Sequence, residues 1–373
     1  MRIAFLKMQS KNQGGLEKYA GRIATAFAKK GADVAFLTTG VPEKRLPGIE
    51  YCPFPICRWP GFMKLEQYDR CVRGWLKNNR ADLIFGMERN RIQTHIRAGN
   101  GVHAAYLKSR IASEGWIKYG ICQINPFHRK ILELEKAAFE YPGLKKIFVN
   151  SRMVQRDLLS YYAADPAKIE VIHNGVEWHE HAAPFSQWEA GRAAALENFG
   201  LPRSVLHLLF IGNGYRRKGL DELMKALSVW QRKDFHLSVL GKDKHIDKYR
   251  ARAEWLGLRS RIRFFGPQKD VIPFYQMADA LVIPSFYDPF ANVTNEALSF
   301  GLFVISSKTN GGHEVLNEQN GTVIETLRSE TILAALERAI SFPKTAERAN
   351  AIRSSISYLD FSNQLSKLID ACD

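Results

Sequence analysis

The stretch LVIPSFYDPFANVTNEALSFG, residues 281–301, reads as a strand, a loop and the start of a helix. The apolar run closes at Pro284–Ser285, the loop carries Asp288, and a helix opens near Ala291 with Glu296 one to two turns in. Asp288 and Glu296 are eight apart, so one acid can project from the loop and the other from the helix toward the same crevice. The backbone amides of Asn292 and Val293 are expected at the helix N-terminus, where donors without intrahelical acceptors and the macrodipole attract phosphate. A carboxylate such as Glu296 suits two ribose hydroxyls. An acid that only complements the helix dipole explains the pair equally well when it is taken alone.

Outward from this unit the same rhythm repeats. In the second half, apolar runs at 207–213, 236–242, 262–267, 280–285, 303–307 and 321–325 alternate with helical patterns. In the first half they fall at 2–8, 32–38, 81–87, 145–151 and 168–175. The first-half runs are continuous rather than alternating, which predicts a sheet covered by helices on both faces, and the strand–helix alternation of both halves predicts parallel sheets. Leu16, Tyr19, Ile23 and Phe27 share one face of a first helix that Gly31 ends. Residues 176–205, with Pro184 and Pro202, read as a linker with a short helix. The fold class is therefore α/β, with two doubly wound, Rossmann-like domains: 1–175, and 176–355, with a C-terminal helix at about 356–373 that could pack back on the first. Ligands of such sheets bind beyond the carboxyl ends of the strands, so the active site is expected in a cleft that the two domains face.

Two further stretches carry chemistry. In FIGNGYRRKGLDELMKAL, 210–227, a strand runs into a glycine-containing loop, and Arg217 and Lys218 stand before Gly219 and an amphipathic helix. There they can supply countercharge to a leaving pyrophosphate, the arginine as a planar fork and the lysine as a mobile point charge. In NQGGLEKY, 12–19, Gly14 and Gly15 follow the first strand and let the backbone approach a ligand, or make a plain tight turn. The pattern is not GxGxxG, and no acid ends a second strand as a dinucleotide site requires. No DxD motif and no cluster with metal-ligand spacing occurs.

Together these stretches resemble the retaining GT-B glycosyltransferases of family 4, also called group 1. The likeness runs from the first glycine loop through Asn174–Val176 and the RKG loop to the paired acids. It implies that Asp288 contacts the donor sugar, that Glu296 holds the ribose, and that Arg217 and Lys218 hold the pyrophosphate. It also implies that Gly241, Gly266 and Gln268 line the nucleotide pocket, that no metal or other cofactor is needed, and that a nucleotide sugar is the co-substrate. His103, in RAGNGVHAAYL, is the candidate for touching the donor sugar from the first domain, with a structural role as the alternative. The sequence departs from the pattern at Asp288, where a glutamate is usual, at Ala291 for glycine and at Phe303 for proline.

Net charge is +15, and residues 1–175 hold 29 Lys and Arg against 15 Asp and Glu, while the remainder hold 24 against 23. A field of one sign on one half calls for an anionic partner. Residues 104–136 interleave Tyr106, Trp116, Tyr119 and Phe127 with Lys108, Arg110, Lys118, Arg129 and Lys130, which fits an anionic membrane surface or a phosphorylated glycan. Here the chain is similar to lipopolysaccharide core glucosyltransferases, which implies a UDP-sugar donor, with GDP-mannose and other donors as alternatives, and a glycolipid acceptor. No apolar run approaches the roughly 20 residues of a membrane span. MRIAFLKMQS lacks the apolar stretch of a signal peptide, and the five scattered cysteines suit a reducing compartment. The expected place is cytoplasmic, peripheral on the membrane. Nucleic-acid binding would also explain the charge, but no motif supports it. A nicotinamide oxidoreductase lacks its fingerprint. An inverting transferase and an epimerase sit poorly with Arg217–Lys218 and the paired acids, and a catalytically silent sugar-binding relative stays open.

Overall fold

The computed structural model describes residues 1–8, 15–40, 45–57 and 59–372. It divides into two compact units, Met1–His173 with Gln364–Asp373, and Asn174–Asn363.

The first unit holds seven strands: β1 (Arg2–Leu6), β2 (Asp33–Thr38), β3 (Ile49–Pro53), β4 (Leu83–Gly86), β5 (His95–Arg97), β6 (Lys146–Val149) and β7 (Ile169–Val171). All pairings are parallel, in the order β3-β2-β1-β4-β5-β6-β7. Phe5, Phe36, Phe85 and Phe148 fill one face together with Phe27 of helix Gly15–Lys29 and Leu368 and Ile369 of the C-terminal segment. Burying each such side chain contributes roughly 1.5–3 kcal/mol. Two strands escape the sequence pattern. β3 is only partly buried and β5 is three residues long, so neither shows a continuous apolar run.

The second unit holds β8 (Leu206–Ile211), β9 (Phe235–Leu240), β10 (Ile262–Gly266), β11 (Ala280–Ile283), β12 (Phe303–Ser307) and β13 (Gly321–Ile324). They too are parallel, in the order β10-β9-β8-β11-β12-β13. Neighbouring residues of one strand enter opposite cores, Leu208 and Phe210 on one face and Leu209 on the other, so both faces are covered as the continuous runs require. In each unit the chain turns back between the first and fourth strands. For the second unit that places the switch point between β8 and β11, where a doubly wound sheet opens its ligand crevice.

Residues 176–205 differ from the expected linker. They form helices Ala182–Ser186 and Trp188–Asn198, and Phe185, Trp188, Ala195, Leu196 and Leu201 belong to the core of the second unit. The second of these helices carries small residues where an apolar stripe would betray it. Gly191 packs so closely that a Cβ there would lie 2.2 Å from the Gln276 amide oxygen.

Candidate functional site

The loops after β8 and β11 meet at the switch point, and glycine makes the meeting possible. Gly219 has φ +77°, and a Cβ on it would fall 1.9 Å from the Pro284 carbonyl oxygen. The backbone of the first loop therefore lies directly against the end of β11. The Phe286 amide donates to the Arg217 carbonyl at 2.9 Å and completes the join.

This contact brings together residues 71 and 70 positions apart. The Arg217 guanidinium and the Lys218 ammonium both donate to Oδ2 of Asp288, each at 2.7 Å. Arg217 also donates to the Tyr287 carbonyl. Lys218 and Asp288 are buried, whereas the Arg217 side chain keeps 35% of its surface in solvent. Burial would raise the Asp288 carboxyl, but Lys218 and then Arg217 outweigh it and hold it below the usual carboxylate range. The three groups form a cluster with one surplus positive charge, ready for an anion.

A second turn fixes Asp288 from behind. Its amide donates to the Thr309 carbonyl at 2.9 Å, and its carbonyl accepts from the Gly311 amide at 2.8 Å. The fully buried Asn310 accepts from the amides of Ala291 and Gly312 and donates through Nδ2 to Ser306. Asn310 thus sets where helix Asn292–Ser299 begins. The amides of Asn292 and Val293 occupy its first turn, as expected from the sequence, and the cap Ala291 offers no side-chain acceptor to them. The Asn292 side chain accepts from Asn174 at 2.7 Å. Glu296 is half-buried one turn further on, and its Oε2 accepts from the Tyr275 hydroxyl at 2.6 Å.

The remaining expected positions of this unit lie along the same carboxyl edge. Gly241 follows β9, with φ +110° and its α-carbon face against the Gly212 carbonyl, where a Cβ would come to 2.2 Å. Its amide donates to the Gly266 carbonyl at 2.9 Å, so these two loops are tied together. Gln268 is exposed and its amide turns back to the Phe265 carbonyl rather than reaching outward. Tyr215, buried in the β8 loop, donates its hydroxyl to Gly241 and its amide to Asp243.

In the first unit, Gly15 opens helix Gly15–Lys29, and Gly14 lies outside the described residues. His103 is the first residue of helix His103–Glu114. Its amide donates to both oxygens of Glu135 at 2.9 Å, and its Nε2 pairs with Nδ1 of His128 at 3.1 Å. Burial, helped by the Arg89 charge, lowers the His103 imidazole to about 4, so it is neutral at physiological pH and can share one proton with His128. Glu135 is fully buried and also accepts from Arg89 at 2.6 Å and from the Tyr162 hydroxyl at 2.6 Å. The N-terminus of this helix therefore already holds its anion.

Sequence reasoning missed Asn310, Tyr275, Glu135 and His128. Asn310 had a signal, since TNGG at 309–312 follows a strand and its glycines mark a tight turn. The other three act across folds of the chain that no local pattern reveals.

The aromatic and basic segment divides into exposed and paired parts. Helix Trp116–Ile124 leaves Trp116 72%, Ile117 84% and Ile124 74% exposed, with Ile121 beside them. Lys108, Lys118 and Arg129 are exposed, Lys118 and Arg110 both pair with Glu114, and Lys130 pairs with Glu66 and Glu133. Trp59 is also exposed, and Gly61, two residues on, packs on Phe127. Among the described residues no helix is long and apolar enough to cross a membrane.

Comparisons with known proteins bear on this geometry. Residues 195–354 match the family model described as glycosyl transferases group 1, and residues 13–179 match that of glycosyltransferase family 4. The chain is 25% identical over 346 residues to the lipopolysaccharide glucosyltransferase WaaG of Escherichia coli (strain K12), covering 91% of this chain and 90% of that one. A crystal structure of WaaG superposes with a TM-score of 0.80 at 24% identity over 99% of both chains. The D-inositol 3-phosphate glycosyltransferase of Streptomyces griseus is 28% identical over 383 residues, covering 91% of this chain and 79% of its own. Anabaena Alr3699/HepE, solved in complex with UDP-glucose, shares the fold with a TM-score of 0.63 at 16% identity, covering 100% of this chain and 99% of that one.

Proposed function

Because its two matched segments make this chain a glycosyltransferase of family 4, group 1, with the GT-B fold, we propose that it transfers a hexose, with retention, from a UDP-sugar to an anionic glycan or glycolipid of the lipopolysaccharide core type. The observation that carries the reading is the Arg217–Lys218–Asp288 cluster at the switch point, beside the first turn of helix Asn292–Ser299. In this reading the second unit binds the donor and the first binds the acceptor.

The donor pyrophosphate takes Arg217 and Lys218 as countercharges and the amides of Asn292 and Val293 as donors. Glu296 holds the ribose hydroxyls and Asp288 meets the sugar. As the bond from the anomeric carbon to the phosphate oxygen breaks, negative charge grows on the leaving diphosphate, and the fixed cations stabilise it most at that moment. The acceptor hydroxyl attacks on the face from which the nucleotide departs and gives its proton to the departing phosphate oxygen. Neutral His103 serves as a hydrogen-bond partner for the donor sugar rather than as a cation. Two protein cations take the part that a divalent ion plays elsewhere. Transfer measured in EDTA is therefore expected to equal transfer in Mg²⁺, and a loss in EDTA that Mg²⁺ restores would contradict this.

Charge and apolar surface support this acceptor. The excess of cations in residues 1–175 suits phosphates, and WaaG is named for a lipopolysaccharide substrate. Ile117, Ile121 and Ile124 recur at helical spacing on an exposed helix with Lys118 among them, an arrangement for resting in an anionic headgroup layer. The protein would then work as a peripheral protein on the cytoplasmic membrane face. It is expected to float with vesicles containing phosphatidylglycerol and to stay behind with phosphatidylcholine alone. Replacing Ile117, Ile121 and Ile124 by serine should abolish flotation, and unchanged flotation would reject this surface.

A further inference from the structure

The ribose acid proposed above does not stand alone on its helix. Tyr275, on the neighbouring helix Ile272–Met277, is 1% exposed, and its hydroxyl donates to Oε2 of Glu296 at 2.6 Å. Its ring stacks on Phe300, with centroids 5.3 Å apart and planes 9° from parallel. Phe300 lies four residues beyond Glu296, and its amide donates to the Glu296 carbonyl. One tyrosine thus grips the helix at two points a turn apart, on the carboxylate and on the ring that follows it.

Tyr275 is itself anchored. The Lys344 ammonium donates to the Tyr275 carbonyl at 3.1 Å and to the Gln276 and Ala278 carbonyls, closing the end of the helix that bears the tyrosine. The Trp188 ring lies under that ammonium at 4.5 Å. Burial, and then the Glu296 charge, push the Tyr275 phenol well above its ordinary value, so it is a donor at every working pH.

We propose that Tyr275 is a positioning residue for the donor site: its hydroxyl fixes the orientation of the Glu296 carboxylate, and so sets the affinity for the ribose of a nucleoside diphosphate. The inference rests on the ribose role proposed for Glu296. A carboxylate on a half-buried helix has several rotamers, and holding one of them removes an ordering cost that the ligand would otherwise meet.

The test uses the whole chain and two probes, UDP and 2′,3′-dideoxy-UDP, titrated by calorimetry. Tyr275→Phe fills the same space and lacks only the hydroxyl, and a melting curve checks that it folds. UDP affinity is expected to fall roughly tenfold in Tyr275→Phe, as for a lost hydrogen bond to a charged group, and further in Glu296→Ala. The double variant should lose no more than Glu296→Ala alone, because the tyrosine acts through the acid. With 2′,3′-dideoxy-UDP, wild type and Tyr275→Phe should bind equally, since there are no hydroxyls to aim at. Unchanged UDP binding in Tyr275→Phe, with a clear loss in Glu296→Ala, would overturn the proposal and leave the ribose role intact. Equal losses for both probes in Tyr275→Phe would overturn it too, as a mere packing effect. Unchanged UDP binding in Glu296→Ala would remove the ribose role and this proposal with it.

Discussion

Turnover is expected to fall about a thousandfold or more when Arg217 and Lys218 are both replaced by alanine, because removing one preorganised donor from a developing oxyanion typically costs 10²–10³. The donor diphosphate would leave against uncompensated charge. The same change has a second consequence that must be separated from the first. Asp288 is buried and accepts from both cations, so the double variant strands a buried carboxylate. Its carboxyl would rise once the two cations are gone, since burial alone acts on it. Adding Asp288→Asn should restore the melting temperature, because a neutral amide tolerates the site, yet leave turnover low. Transfer and melting measured on all three proteins separate the effects. Near-wild-type rates in the double variant would remove both cations from the chemistry.

Glu135→Ala is expected to destabilise the first unit by about 3–5 kcal/mol, the usual cost of leaving one partner of a buried ion pair uncompensated. The guanidinium of Arg89 would keep its charge but lose the chief partner that outweighs the burial acting against it. The amides of His103 and Ala104 and the hydroxyl of Tyr162 would lose their acceptor as well. The loss should appear in hydrogen exchange over residues 103–114, with the second unit unaffected. Glu135→Gln keeps an acceptor and the shape and should cost less. Equal protection in wild type and Glu135→Ala would show that the network contributes nothing.

The fold was legible because its central strands are buried on both faces. β11 is buried throughout and reads as a continuous apolar run ending at Pro284, while β9 and β12 are as buried but carry His236, Ser238, Ser306 and Ser307 among their apolar residues. β3 and β5 were silent for the opposite reason, being partly exposed or only three residues long. Within 176–205 a short helix was read but not placed, because alanine and glycine pack helix Trp188–Asn198 by closeness rather than by an apolar stripe. Within the site, the RKG loop and the two acids were legible from their place after strands. What the sequence did not carry was their partners. It placed Arg217, Lys218 and Asp288 in one crevice but not on one carboxylate oxygen, which needs the close approach of Gly219 to Pro284. Tyr275 and Glu296 are 21 positions apart, and His103 and Glu135 are 32 apart, on elements whose packing decides who meets whom. Such pairs leave no periodic trace.

The most direct test of the donor site is thermal stabilisation by nucleotides, with UDP, GDP, ADP and NAD applied in turn to wild type and to Arg217→Ala/Lys218→Ala/Asp288→Asn. A ligand that binds only the folded protein raises the melting temperature in step with its concentration over its dissociation constant. A rise with UDP is expected in wild type, none with NAD, and no rise with UDP in the triple variant. A wild type that no nucleoside diphosphate stabilises, or a triple variant stabilised by UDP as strongly as wild type, would contradict this.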